Sequence, residues 1–309
     1  MLNLIKLHYF TIDGEHYIDA NNENRCSSEF LHFANIIAES FDCEIKIEAV
    51  AINEGGFERI WSVICKNENK KAVITTTVMS TVIASVLASG ITGGCTRVID
   101  YITADKELTE LQKEDLRLSI ELKHQQLSEN NRLTKRQSNF YENASKDERI
   151  SAIELSAIPT NGPIFSSPKI SRTEFQNYIL ASNELEAVTV ENAIIEIISP
   201  VIQKGSYQVW RGRYQGNIIK FRMQSPEFML KVYSGEIEFK NGFTIDCNLL
   251  QFRRMDEAGE AYIYKQDVSL VHSYYVNDKP IETIEGRRYR QKKEQDNAPN
   301  LFTGVEDGF

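Results

Sequence analysis

The chain has 309 residues, 41% hydrophobic and 26% charged, with a formal net charge of −9. That is the composition of a folded protein with room for two domains, and it excludes a low-complexity or disordered chain. Charge is uneven: residues 201–300 hold 16 Lys and Arg against 13 Asp and Glu, and residues 1–200 hold 19 against 29, so an anionic partner is expected toward the C-terminal end.

Residues 2–12 alternate as a strand, with Leu4, Lys6, His8 and Phe10 on one side and Ile5, Leu7, Tyr9 and Thr11 on the other. Asp13-Gly14 is a turn signal, and His16–Asp19 is expected to return as the second strand of a hairpin. Asn21–Asn24 is a polar break, after which Ser27-Ser28 opens a helix carrying Phe30, Phe33, Ile36, Ile37 and Phe41 at helical spacing. Strands are expected over 44–52 and within EGGFERIWSVICK (54–66), making 1–68 a small α+β module. No apolar h-region or cleavage site follows the first residues, so no signal peptide is expected.

Residues 72–96, AVITTTVMSTVIASVLASGITGGCT, contain no charge. A membrane span needs about 20 mostly apolar residues, so 72–102 reads as a transmembrane helix. Thr77, Thr81, Ser85, Ser89, Thr92 and Thr96 step along it by three or four and form one drifting stripe. Small hydroxyl residues let membrane helices pack closely, or line a narrow wet path in a ring of identical helices. Both readings require a homo-oligomer. The flanking Lys and Arg counts, four before and three after, leave the orientation open.

From Asp105 to Leu133 there is no Gly or Pro. Leu108, Leu111, Leu118 and Leu122 form one stripe, and Leu116, Ile120 and Leu127 a second, so 103–137 reads as a charged stalk helix with Thr103 as N-cap. Residues 138–189 read as a linker with one short helix opened by Ser171 and Glu174. From 190 to 277 the pattern is β, with one helix at 225–235, and predicts a small SH3-like or OB-like barrel. The polar tail 278–309, with RRYRQKK at 287–293, is expected to be disordered.

The hairpin at 207–223 is the most informative soluble feature. A Gly216-Asn217 loop would oppose Arg213 to Lys220 and Arg211 to Arg222, and place Trp210, Tyr214, Ile219, Phe221 and Met223 on a core face. Like charges directly opposed across strands are unfavourable. Either a solvated edge or an acidic neighbour tolerates them, or the row binds a run of phosphates. Tyr207 flanks the face and could stack on a base.

Catalytic and metal chemistry find no support. His8, His16, His32, His124 and His272 are scattered without ligand spacing, and no phosphate-binding or nucleophile motif occurs. Cys26, Cys43, Cys65, Cys95 and Cys247 form no C-x-x-C, so reduced thiols in a cytosol-facing protein are expected, with no cofactor.

The order of parts is an α+β module ending in EGGFERIWSVI, an uncharged helix, a charged stalk and a C-terminal β domain with a basic hairpin. It resembles the membrane ion-channel effectors of bacterial anti-phage defence, in particular the Hailong effector family. The resemblance implies a homo-oligomeric channel in the inner membrane with its C-terminal domain in the cytoplasm. A single-stranded DNA oligomer, made by a partner nucleotidyltransferase, would hold the channel shut. The alternative is a membrane-anchored or soluble oligonucleotide-binding adaptor without a pore.

Overall fold

The computed structural model describes residues 3–12, 17–49, 58–65, 76–104, 109–159, 164–203, 208–276 and 279–296. The chain is α+β and divides into two compact units, one of 1–183 with 255–260 and one of 184–254 with 261–309.

In the first unit, strand β1 (Asn3–Thr11) lies between β3 (Glu58–Cys65) and β4 (Ile150–Ile158), and β2 (Ile45–Ala49) extends the sheet beyond β3. All of these pairings are antiparallel. The period of two buries Ile5, Leu7 and Tyr9 and leaves Lys6 and His8 to share the carboxylate of Glu58, at 3.0 and 2.9 Å. The expected His16 return strand is not formed over its described residues, 17–19. Instead Asp19 caps helix α1 (Ala20–Ser40), accepting from the amides of Asn21 and Asn22. The polar stretch Asn21–Asn24 is therefore inside the helix, because a side-chain cap offsets its weak helix propensity.

The uncharged segment is the main correction. Helix α2 (Thr76–Ala104) is interrupted at Gly90, whose φ of 70° and ψ of 175° lie outside the helical region. Nine residues of continuous helix advance about 13 Å, yet the Ser85 hydroxyl donates to the Gly94 carbonyl at 3.0 Å. A Cβ at Gly94 would lie 2.5 Å from the Val86 Cα. The chain thus folds back at Gly90 into a helical hairpin, whose arms, 76–89 and 91–104, meet through a glycine. Each arm is about 21 Å long, against a hydrocarbon thickness of about 30 Å. By length and composition alone α2 is apolar enough to cross a membrane, but 72% of its most apolar window is buried in the fold.

The expected stalk is also two helices, α3 (Glu110–Ser128) and α4 (Asn131–Lys146). Thr109 and Gln112 form a capping box at the start of α3, and the Asn130 side chain caps α4. Thr103 is not a cap; its hydroxyl donates to the Ile99 carbonyl within α2. Leu116, Ile120 and Leu127 are buried in the core, while Leu111, Leu118 and Leu122 face outward. The linker reading of 138–189 fails for the same reason: Phe140, Tyr141, Leu155 and Phe175 are fully buried, and ISAIELSAI supplies β4, with which the short strands β5 (Phe165–Ser166) and β6 (Ile170–Ser171) pair.

In the second unit, five strands close on themselves. They are β7 (Glu184–Ser199), β8 (Val209–Tyr214), β9 (Asn217–Met223), β10 (Thr244–Met255) and β11 (Ala261–Val276), ordered β10-β7-β8-β9-β11 with β11 returning to β10. The β9–β11 pairing is parallel, and β7 with β10, β7 with β8 and β8 with β9 pair antiparallel. Helix α5 (Pro226–Ser234) connects β9 to β10 and seals the core, where Trp210, Phe221 and Phe228 are buried with Ile195, Ile245 and Val268. The tail is ordered as far as it is described: β12 (Lys279–Glu282) pairs with β11, and α6 (Ile284–Asp296) packs against that strand. A Cβ at Gly286 would lie 2.3 Å from the His272 carbonyl oxygen, so only glycine allows this docking.

Candidate nucleic-acid interface

The β8–β9 hairpin turns at Gln215-Gly216, both with positive φ (48° and 80°), which is type I′ geometry. The expected turn at Gly216-Asn217 is therefore one residue too late. The observed partners are Arg211 with Lys220, Arg213 with Ile218, and Val209 with Arg222. The slip moves each pairing by one place on both strands, so the sidedness survives. Arg211, Arg213, Lys220 and Arg222 share the outer face, and Trp210 and Phe221 point into the barrel.

The four cations differ in their neighbours. Arg213 lies opposite Glu196 of β7 and bonds its carboxylate at 2.8 Å. Arg222 is registered against Asp267 of β11, a buried carboxylate that also receives Lys265 at 3.0 Å and Gln224 at 2.9 Å. Arg211 and Lys220 are exposed, directly opposed, and make no ion pair with any described residue. Gly212 beside Arg211 cannot carry a side chain, since a Cβ would lie 2.6 Å from Ile195. Val209 and Ile218 flank the cations as exposed apolar residues, 45% and 59% accessible. Opposed like charges weaken a hairpin by a few tenths of a kcal/mol, so this pair is a feature that an anion would relieve. Tyr207 lies outside the described residues.

The hydroxyl stripe of α2 is split by the Gly90 break rather than running along one face. Thr77 donates to Asn3 Oδ1 at 3.1 Å, Thr81 to the Thr77 carbonyl and Ser85 to Gly94 across the hairpin. The Ser89 hydroxyl is buried with no partner. Thr92 and Thr96 are exposed on the second arm, Thr92 within 3.4 Å of the His124 ring. The last carbonyls of the first arm are capped from α4: Gln137 donates to Val86 and Leu87 at 3.1 and 2.9 Å, and the Tyr141 hydroxyl donates to Leu87 at 3.0 Å. This satisfies the acceptors that any helix C-terminus leaves open. Sequence reasoning missed both caps, because they are long-range pairings that no local pattern encodes, whereas the acidic neighbour it allowed for the opposed cations is present at Arg213 as Glu196.

No family model matches the chain, and neither a curated protein nor a solved structure is significantly similar to it. Among the described residues no group of His, Cys, Asp and Glu could hold a metal ion.

Proposed function

We propose that the chain is an oligonucleotide-responsive effector whose barrel binds a single-stranded oligonucleotide across the outer face of β8 and β9. The observation that carries this is the directly opposed pair Arg211 and Lys220, without an ion-pair partner among the described residues and set on the second and third strands of a closed five-stranded barrel. The helix between the third and fourth strands and the parallel pairing between the third and fifth support the OB-like reading of this five-stranded barrel over the SH3-like one. Barrels of that kind use this strand face for oligonucleotides. Exposed Val209 and Ile218 give the bases apolar contact between the cations.

The test is fluorescence anisotropy with a short labelled single strand. Arg211→Glu with Lys220→Glu is expected to lower affinity at least about tenfold. It should also flatten the slope of log affinity against log salt by roughly 0.7 for each phosphate that no longer meets a cation. Unchanged affinity in a variant that melts normally sinks the reading.

What binding controls is a second question. The 29-residue α2, apolar enough to cross a membrane, favours an oligomeric ion channel of the anti-phage type, held shut by the oligonucleotide. Its burial favours the alternative, a soluble or membrane-anchored adaptor. Under the channel reading the hairpin leaves the core and opens, and the outward stripe of Leu111, Leu118 and Leu122 brings copies of the chain together. The ligand can drive that change only by binding one state better than the other. A nucleotidyltransferase partner would supply the strand.

A further inference from the structure

The cleft between α6 and the wall of the barrel lies apart from the β8–β9 face and encloses about 490 Å³, within the range of small-ligand sites. Both strands at its floor are irregular. Asn192 of β7 has a φ of 53°, and the β7–β10 register shifts between Cys247 and Leu249, at Asn248. Such irregularities re-aim side chains and are common beside functional sites. Here they lie beside Asp246 of β10, and β11 adds His272 to the same floor.

Asp246 Oδ1 is buried and has no hydrogen-bond partner. Burial pushes this carboxyl up, although the neighbouring His272 opposes the shift. His272 is held by Nε2 against Asn248 Oδ1 at 2.8 Å, and burial pushes its imidazole down, toward the neutral form. With Nε2 donating, Nδ1 is an acceptor. The floor therefore holds one buried acceptor without a donor, Asp246 Oδ1, with a second acceptor on the imidazole beside it. The wall is different: the Tyr289 ring stands 5.0 Å from the His272 ring, and Arg290 and Lys293 follow it along α6. Arg290 rests on Glu282 at 3.1 Å and Lys293 on Glu191.

We infer that this cleft binds a nucleoside monophosphate whose base carries an exocyclic amino group. The amino group donates to Asp246 Oδ1, the base lies on the Tyr289 ring, and the phosphate reaches Arg290 and Lys293. An unpaired buried acceptor is costly, so a ligand that satisfies it is selected over one that does not. CMP and UMP make the cleanest comparison, because they differ only along one edge of the base, where the amino group and bare N3 of CMP face the carbonyl oxygen and N3–H of UMP.

Isothermal titration of the full chain with CMP, AMP and UMP tests this. CMP and AMP are expected to bind about tenfold more tightly than UMP, the value of one satisfied buried polar group. Asp246→Ala should erase the preference, and Lys293→Met should weaken all three nucleotides alike while keeping it. Equal affinity for CMP and UMP overturns the proposal, as does the absence of saturable binding at millimolar concentration. The CMP to UMP ratio on the unaltered protein decides even if Asp246→Ala fails to fold. Oligonucleotide binding through Arg211 and Lys220 is measured separately and stands or falls alone.

Discussion

Glu227 and Glu285 cap each other's helices. The Glu227 carboxylate accepts from the amides of Ile284 and Glu285 at the start of α6, at 3.0 and 2.7 Å. The Glu285 carboxylate accepts from the Ser225 hydroxyl at 2.6 Å and the Glu227 amide at 3.3 Å, at the start of α5. Each acid also sits in the positive end of the other helix's dipole. The exchange joins the starts of α5 and α6, and with the β11–β12 pairing and the close approach of Gly286 to His272 it fastens the C-terminal segment to the barrel.

Removing either acid should loosen both helices. Glu227→Ala and Glu285→Ala are each expected to cost about 1–2 kcal/mol, from missing caps and dipole interactions. The double variant should cost less than the sum, since each single change already strands the partner. Chemical denaturation of the four proteins in a double-mutant cycle measures this. Additive losses would mean that the two caps act independently.

Asp147 ties the start of α1 to the turn before β4. Its carboxylate accepts from the Arg149 guanidinium at 2.9 and 2.8 Å and from the Asp19 amide at 2.6 Å. Arg149 and these amides pull its pKa down to about 2. A depressed carboxylate stabilises the fold above its unfolded pKa, about 3.9, and that stability disappears as pH falls through the folded value. Asp147→Asn should therefore cost about 2 kcal/mol at neutral pH. The gap to the unaltered protein should shrink between about pH 4 and pH 2. Thermal melts across that range read it directly, and a constant gap would assign the loss to packing instead.

The helical hairpin rests on two glycines for different reasons. Gly90 has a φ of 70° and a ψ of 175°, a region essentially confined to glycine, with open space around it, so Gly90→Ala pays only in backbone conformation, about 1–3 kcal/mol. At Gly94 a methyl group would meet the Val86 backbone at 2.5 Å, so Gly94→Ala must separate the arms and should cost about 1–3 kcal/mol, and Gly94→Val more. Both alanine variants should melt below the original protein, and Gly94→Val below Gly94→Ala. A Gly94→Val protein as stable as the original would mean that the arms are not in contact.

The sequence carries what is periodic and local, and it falls short where distant pieces compete. The alternation of β1, the barrel with its one helix, and the cationic side of β8–β9 follow from period two and from turn residues. That side survived a register error because the slip moved each strand by a single place around the turn, which preserves the parity of paired positions. In α2, by contrast, Gly90 stands in a run whose length favours a membrane, and glycine alone does not announce a reversal. The deciding groups are Gln137 and Tyr141, about fifty residues away, which cap Val86 and Leu87. The tail reads as polar because α6 buries little beyond Gly286. What holds it in place is the pairing of β12 with β11, the approach of Gly286 to His272 and the exchange of caps with α5.

Those same caps bear on whether α2 can act as a membrane element. To leave the core, the first arm must give up the bonds from Gln137 and Tyr141, each worth about 1 kcal/mol, together with the burial of Val82, Ile83, Val86 and Leu87. Gln137→Leu with Tyr141→Phe removes the bonds and keeps the packing volume, so it should lower the melting temperature. Under the channel reading it should also raise dye release from anionic lipid vesicles, by about tenfold for each 1.4 kcal/mol removed. Added oligonucleotide should suppress that release, and Arg211→Glu with Lys220→Glu should abolish the suppression. If neither the original protein, stripped of nucleic acid, nor the double variant releases dye, α2 is a core hairpin and the barrel serves a soluble adaptor.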